Sequence, residues 1–279
     1  MSNFIPLYPY PILILENSNL DRYLVISDIH IGFEDKINKK GVFIDPKRNV
    51  DELLDILSST ISKTQIKNLI ILGDLKSSIN VITQSEWNNV PYFLNSLSKL
   101  CSIYLIPGNH DGNIIHLISN NDVNLLSIKG MEINDILLTH GHTIPVIGKN
   151  INKIVTGHLH PILIKEGNIF NGQKVWIRII LTRKKKEEEE EEEKEGKYRR
   201  KKSENTEGKI EFIIIPHFNK YLNYYDSFTA NENKVKVKKS KHPLLNNLIT
   251  KKKWEIEQVY VISLDGAIIG SENELNKIL

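Results

Sequence analysis

The chain has 279 residues, of which 40% are hydrophobic and 25% charged, as is usual for a soluble globular protein. Its net charge of +3 does not by itself indicate a nucleic-acid binder, and its single cysteine, Cys101, excludes an intramolecular disulfide and a cysteine zinc site. No run reaches the ~18–20 apolar residues of a membrane span, and the short N-terminal apolar stretch is a poor signal peptide. We therefore expect a cytoplasmic protein without membrane contact.

Short apolar runs, each followed at once by polar residues or glycine, predict buried strands with functional residues at their carboxyl ends. These runs lie at 22–27, 68–72, 102–106, 135–139 and 153–156. Helical spacing of apolar residues predicts helices over 49–63 and 84–100, with Pro91 marking a kink or a late start in the second. Alternation of strands and helices indicates an α/β layered fold.

The second half of the chain has a strand-like composition and one charged insert. Strands are predicted over 175–181, 209–215 and 258–264. The insert, 183–209, holds 11 Lys or Arg and 10 Asp or Glu and has no apolar period, so we predict a disordered hairpin tip within one domain spanning 1–279. The segment 233–253 carries eight lysines and no acid.

Five short motifs follow the predicted strands in order: SDIH (27–30), LGDL (72–75), PGNHD (107–111), THGH (139–142) and GHLH (157–160). Together they supply carboxylate, amide and imidazole donors without a thiolate, from Asp28, His30, Asp74, Asn109, His140, His158 and His160. Such a set suits Mn, Fe or Zn better than calcium. Side chains two residues apart point the same way on an extended segment, so each D-x-H or H-x-H pair could chelate. Seven donors are too many for one tetrahedral ion and suit two ions.

The order D-x-H, GD, GNHD, HG, GHxH resembles the calcineurin-like metallophosphoesterase superfamily over roughly residues 22–165. The resemblance implies a four-layered α/β/β/α sandwich with two divalent ions, expected to be Mn²⁺, with Fe, Zn and Ni as alternatives. It assigns Asp28, His30 and His160 to the first metal, Asn109, His140 and His158 to the second, and Asp74 to a bridge. It also implies that His110 faces the scissile phosphate as general acid or charge stabiliser, with Asp111 orienting its imidazole.

Flanking residues resemble an archaeal group of phosphoesterases related to the SbcD nuclease. The similarity lies in DIHIGFE (28–34), GDLK (73–76), the passage 211–219 and SLDG (263–266). One departure concerns Ser77, where the superfamily often has an acid, Asn or His three positions after the GD aspartate. Ser77 can still donate a hydrogen bond, so metal binding is expected, but we expect a weaker contact to the phosphate or to the groups behind the ligands.

The remaining histidines are assigned less directly. His142 stands beside His140, and support of a ligand and contact with substrate both stay open for it. We expect His217 to lie outside the site and His242, within the lysine-rich segment, to lie on the surface.

These observations predict a metal-dependent phosphodiesterase acting on nucleic acid or a nucleotide. The lysines from 234 to 253 could neutralise backbone phosphates. Two alternatives remain: hydrolysis of a small phosphomonoester or cyclic nucleotide, and a scaffold that binds metal without turnover. The presence of His110 and Asp111 disfavours the scaffold, which has no need of an acid. The substrate itself and the oligomeric state are left open.

Overall fold

A computed structural model describes residues 3–118, 122–163, 169–183, 208–222, 242–251 and 254–271. Its first sheet has the strand order β1-β2-β3-β4-β5-β6 and is antiparallel up to β3 and parallel from β3 onward. The strands are β1 (Asn3–Pro6), β2 (Leu13–Glu16), β3 (Arg22–Ile26), β4 (Asn68–Leu72), β5 (Ser102–Ile106) and β6 (Val123–Leu125).

A second sheet has the order β13-β12-β10-β11-β9-β8-β7. Its strands are β7 (Met131–Ile133), β8 (Ile136–Leu138), β9 (Lys153–Thr156), β10 (Val175–Arg183), β11 (Lys209–Ile214), β12 (Trp254–Ser263) and β13 (Ile268–Gly270). β8, β9 and β11 run parallel, and the other neighbours pair antiparallel.

The helices are α1 (Glu34–Asn38), α2 (Pro46–Thr64), α3 (Gln84–Ser98), α4 (Ile115–Ile118) and α5 (Pro243–Thr250). α3 begins with a capping box in which Thr83 and Glu86 satisfy each other's backbone N–H groups. The helix therefore starts well before Pro91, which lies inside it, so of the two predicted alternatives, a kink and a late start, the late start is wrong. Among these described helices, none is both long enough and apolar enough to cross a bilayer.

Alternating strand residues divide the hydrophobic core into three clusters: one on the outer side of each sheet and one between the two sheets. In β4, Leu69 and Ile71 pack with α2 and α3, whereas Ile70 and Leu72 face the second sheet. In β9, Val155 lies between the sheets and Ile154 lies on the outer side with α5. Helices thus cover the outer face of each sheet, which confirms the predicted four-layered α/β/β/α sandwich.

Most of the predicted strands recur within one or two residues, but several elements were not predicted. The N-terminal hairpin of β1 and β2, the helix α5 and the extension of β12 back to Trp254 are additions. α5 comes from the segment first noticed for its lysines; its buried Leu244, Leu245 and Leu248 explain why it packs on the second sheet.

The parallel strands bring their carboxyl ends together at one edge. Backbone bonds extend the β3–β4 pairing past the strand ends, from Asp28 N to the Gly73 carbonyl (3.1 Å) and from His30 N to the Asp74 carbonyl (2.8 Å). In the second sheet, Gly157 N donates to the His140 carbonyl at 3.1 Å. Backbone bonds therefore hold the SDIH loop against the GD loop, and the GHLH loop against the THGH loop.

A buried lysine holds the loop that follows β11 against this edge. The Lys174 ammonium donates to the carbonyls of His217 (2.9 Å), Phe218 (3.3 Å) and Asn219 (3.0 Å). Burial lowers the pKa of Lys174 to about 7. Phe218 N in turn donates to the Ser27 carbonyl at 2.8 Å, so a loop of the second sheet is fastened to the first motif.

The charged insert is bounded by a regular strand pair. Residues 184–207 lie outside the described residues, but Thr182 pairs with Lys209, and Arg183 N donates to the Gly208 carbonyl at 3.2 Å. We predict that replacing 184–207 by Asn-Gly leaves the melting temperature within about 2 °C and activity on small esters within about twofold, because a short turn closes the same hairpin. Calorimetry and hydrolysis of a p-nitrophenyl diester measure both quantities. A large loss of either would show that the insert contributes to the fold or the site.

Candidate metal centre

Seven predicted donor side chains converge where the carboxyl ends of β3, β4 and β5 meet those of β8 and β9. The donors are Asp28, His30, Asp74, Asn109, His140, His158 and His160. Most are withdrawn from solvent: Asp28 and His140 are 0% exposed, and His30 and Asp74 are 2% exposed. These donors are therefore internal to the sandwich.

One group of donors consists of Asp28, His30, Asp74 and His160, whose ligand atoms all lie within 4.8 Å of one another. His160 Nε2 is 3.2 Å from both His30 Nε2 and Asp28 Oδ1. His30 Nε2 is 3.5 Å from Asp74 Oδ2. Two imidazole nitrogens and two carboxylates thus point at one small volume.

A second group consists of Asp74, His140 and His158, again within 4.8 Å. His140 Nε2 is 3.4 Å from Asp74 Oδ2, and it is 3.2 Å from His158 Nδ1 and from the amide oxygen of Asn109. Asp74 belongs to both groups. Its carboxylate is the only donor that the described clusters share.

The backbone sets which nitrogen of His140 faces the cluster. His140 Nδ1 is 2.7 Å from the Leu72 carbonyl, which can only accept, so Nδ1 must carry the hydrogen. Nε2 is then the nitrogen that faces Asp74 and Asn109. This is the usual way in which a metal-binding imidazole is oriented from behind.

The electrostatics of the cluster fit a divalent cation. Burial raises the pKa values of Asp28 and Asp74, but neighbouring histidines outweigh burial and leave both carboxyl pKa values below their ordinary range. Burial lowers the pKa of His30 to about 3, so its imidazole is neutral at pH 7. In His140 and His160 burial acts in the same direction, but the neighbouring carboxylates outweigh it and raise the pKa, that of His140 to about 9. Carboxylates together with imidazoles that release their protons on metal binding, without a thiolate, are the donor set of Mn, Fe, Zn or Ni ions.

Five of the donor residues have positive φ, in the left-handed region that non-glycine residues rarely adopt. They are Asp28 (56°), His30 (48°), Asp74 (52°), His158 (74°) and His160 (48°). The extended geometry expected for the D-x-H and H-x-H pairs is therefore wrong: both pairs lie on irregular backbone in which the two donors adopt the left-handed region. Strained backbone of this kind persists only where surrounding contacts hold it, and it is concentrated at functional sites.

Glycines in the motifs allow these segments to approach one another. A Cβ on Gly108 would lie 2.1 Å from Asp74 Oδ1, and one on Gly157 would lie 1.7 Å from Ser27 Oγ and 2.6 Å from Asp28 Oδ2. Any side chain at either position would displace a carboxylate of the cluster. The glycines of GNHD and GHLH are thus required by close packing of loops around Asp28 and Asp74.

His110 lies beside the first donor group, and its ring centroid is 4.8 Å from that of His30. Its Nδ1 is 2.6 Å from the Ser77 carbonyl, so Nδ1 carries the hydrogen and Nε2 is free to exchange a proton. The expectation that Asp111 orients this imidazole is corrected: Asp111 accepts from Gly108 N (2.8 Å) and Lys76 N (3.2 Å) and shapes the loop. Ser77 acts through its carbonyl, and its buried hydroxyl has no hydrogen-bond partner among the described residues.

The role of His142 stays open. Its ring centroid is 5.2 Å from that of His140 and 6.2 Å from that of His158, so the structure places it at the second donor group. Burial lowers the pKa of His142 to about 4, and its buried Nδ1 has no hydrogen-bond partner in the described part of the chain. Support of a ligand and contact with substrate both fit this position.

Two further histidines reach the cluster from the second sheet. His217 is 0% exposed, and its ring centroid is 5.3 Å from that of His160. His242 is buried rather than on the surface, and its ring centroid is 6.2 Å from that of His158. His242 caps α5 by accepting from Leu245 N (3.2 Å), which leaves Nε2–H to donate to the Thr156 hydroxyl (3.1 Å).

Both residues had a signal in the sequence. His217 follows an apolar strand and a proline, as the motif residues follow theirs, and His242 precedes Pro243 as an N-cap precedes the first residue of a helix. Neither signal shows that the residue lies near the other histidines, because that proximity arises from packing of distant segments.

Comparison with known proteins agrees with this geometry. The family model for calcineurin-like phosphoesterases matches residues 21–238. Among solved structures, the Pseudomonas putida nuclease MPE is 16% identical, with a TM-score of 0.45, and the match covers 78% of this chain and 88% of that chain. Yfce, a phosphoesterase from E. coli, is 19% identical, with a TM-score of 0.32, and the match covers 54% of this chain and 78% of that chain.

At these identities and TM-scores, neither solved structure bears on what this chain binds. No curated protein matches the chain. The family match covers all five motifs, the loop that carries His217 and both donor groups. The chain therefore belongs to the calcineurin-like phosphoesterase family, hydrolases that act on phosphoric esters.

Proposed function

We propose that this protein is a two-metal phosphodiesterase, and that its substrate is nucleic acid or a nucleotide. The observation that carries the proposal is the position of Asp74 in both donor groups, since one shared carboxylate can hold two ions side by side. Asp28, His30 and His160 would complete the first site. Asn109, His140 and His158 would complete the second.

The bound ions would supply a nucleophile at neutral pH and positive charge for an in-line displacement at phosphorus. Mn²⁺ is the proposed ion, and Fe, Zn and Ni suit the same mixed nitrogen and oxygen donors. The protein's own part is to hold these donors rigidly, through strained backbone at Asp28 and His160 and through the Leu72 carbonyl behind His140.

His110 is the proposed proton donor to the leaving oxygen. Its Nδ1–H is engaged by the Ser77 carbonyl, so the proton that it gives must leave from Nε2. Its backbone N–H donates to Asp74 Oδ1 at 2.8 Å, which ties its position to the shared carboxylate. His110 belongs to neither donor group, so it is available for proton transfer.

The proposal that the substrate is nucleic acid or a nucleotide is based on the positive charge of one segment of the chain. The segment 233–253 contains eight lysines and no acid. His217 and His242, which come before and after residues 223–241 in the chain, both lie against the cluster. A polyanion that reaches the metal centre would suit such a flanking segment. The proposed placement near the archaeal SbcD-related group points the same way. We also propose that the chain forms a single domain and is located in the cytoplasm.

The alternatives differ in substrate and are separable by assay. With Mn²⁺ present, we expect hydrolysis of a p-nitrophenyl diester and of DNA ends or single-stranded DNA to exceed hydrolysis of p-nitrophenyl phosphate, because a diesterase needs no dianionic substrate. A preference for the monoester or for cyclic nucleotides would favour the small-molecule alternative. Absence of turnover on every ester, with two ions bound, would favour a scaffold.

The shared role of Asp74 predicts a distinct metal stoichiometry. Elemental analysis of the wild type should give about two ions per chain, and Asp74→Ala should lose both, because each site loses a charged donor. His30→Ala is the matched control and should retain about one ion, since His30 lies in the first group alone. Full occupancy in Asp74→Ala would overturn the bridging assignment.

The role of His110 predicts a dependence on the leaving group. His110→Asn should keep both ions and lose about 10²–10⁴-fold in kcat on an unactivated diester, the usual value of general acid catalysis. The loss should be smaller on a p-nitrophenyl diester, whose leaving group needs little protonation. Loss of an ion, or equal loss on both esters, would contradict the assignment.

A further inference from the structure

The carboxylate of Glu86 is fully buried, lies outside both donor groups and contacts the loop that follows Asp74. It is 0% exposed and lies in the first turn of α3. Its Oε1 accepts from Ser77 N (2.9 Å) and Ser78 N (2.6 Å), and its Oε2 accepts from Thr83 N (2.7 Å) and from the Ser78 hydroxyl. A buried carboxylate is costly unless its lone pairs are satisfied, and here four donors satisfy them.

These contacts reach beyond capping of the helix. A capping box requires only the bond between Glu86 and Thr83 N. The other three donors come from Ser77 and Ser78, which begin the loop directly after the GD motif. Glu86 therefore fixes the conformation of the chain that leaves Asp74.

One peptide unit links Glu86 to His110. Ser78 N–H and the Ser77 carbonyl belong to the same planar peptide group, in which N–H and C=O point in opposite directions. Glu86 holds the N–H end, and His110 Nδ1 meets the carbonyl end at 2.6 Å. The Lys36 ammonium donates to the same carbonyl at 3.3 Å. Glu86 thus bonds one end of the peptide group whose other end meets His110.

We infer that Glu86 is a positioning residue for His110, acting through the Ser77–Ser78 peptide so that Nε2 of His110 faces the leaving oxygen. Glu86 thus has the role of orienting the His110 imidazole, which the family resemblance implied for Asp111. The bonds polarise one another in the same sense, from carboxylate through peptide to imidazole. This inference rests on the proposed proton transfer by His110.

The test is Glu86→Gln, which keeps the shape but turns one oxygen into an NH₂ group that faces N–H donors. Whichever way the amide lies, the oxygen that accepts from Ser78 N is either replaced by NH₂ or loses its negative charge, so the bond to the linking peptide is lost or weakened. We expect both ions to remain bound and kcat on an unactivated diester to fall about 10- to 100-fold, part of the value of a general acid. The fall should shrink on a p-nitrophenyl diester.

Gln84→Ala is the matched control, because Gln84 lies in the same turn of α3 and its exposed side chain donates to Asn88 Oδ1. It should retain activity within about threefold. In a His110→Asn background, Glu86→Gln should cause no further loss on the unactivated diester. A residue that merely stabilised the fold would lower activity on both esters, and would do so equally with or without His110.

The outcomes distinguish failure of this inference from failure of the proposed role of His110. If His110→Asn is fully active, the proposed role of His110 fails, whatever Glu86 does. If His110→Asn behaves as proposed but Glu86→Gln acts equally on both esters, or multiplies the loss in the double variant, the inference is overturned. Should Glu86→Gln not fold, Glu86→Asp keeps the charge but is too short to hold Ser78 N and Thr83 N together, and the same two criteria apply.

Discussion

The whole centre depends on placing the Asp74 carboxylate, almost without solvent, between donors of two different sheets. Asp74 follows β4, His140 and His158 follow β8 and β9, and both donor groups close on Asp74. Such a buried anion is tolerable only when positive charge or hydrogen-bond donors surround it. Positive φ at the donor residues and the glycines of GNHD and GHLH are the conformational cost of bringing these loops so close.

Backbone carbonyls, rather than further side chains, orient the imidazoles. Leu72 supplies the carbonyl behind His140, and Ser77 supplies the one behind His110. A carbonyl can only accept, so it fixes the tautomer unambiguously. Glu86 bonds the other end of the peptide group that carries the Ser77 carbonyl. The tautomers of these two histidines are thus set by backbone carbonyls, and the residue types at Leu72 and Ser77 do not indicate this role.

The part of the chain after residue 165 completes the centre. Lys174 holds the loop that carries His217. His242 caps α5 and donates a hydrogen bond to the Thr156 hydroxyl. Both histidines stand behind donors of the GHLH motif. The second sheet therefore acts as a support for the metal centre, in addition to forming half of the hydrophobic core.

The sequence by itself determined the layered fold and the five motifs, and it identified the seven candidate donors that the structure brings together, because buried strands and the chelating residues at their ends follow local patterns. It did not determine the left-handed backbone at Asp28 and His30, the carbonyl partner of His110, or the burial of His242 and Glu86. Each of these depends on contacts between segments far apart in the chain, such as Ser77 with His110 and Thr156 with His242. Periodicity and motif spacing describe one segment at a time, so only the tertiary structure could decide which distant groups meet.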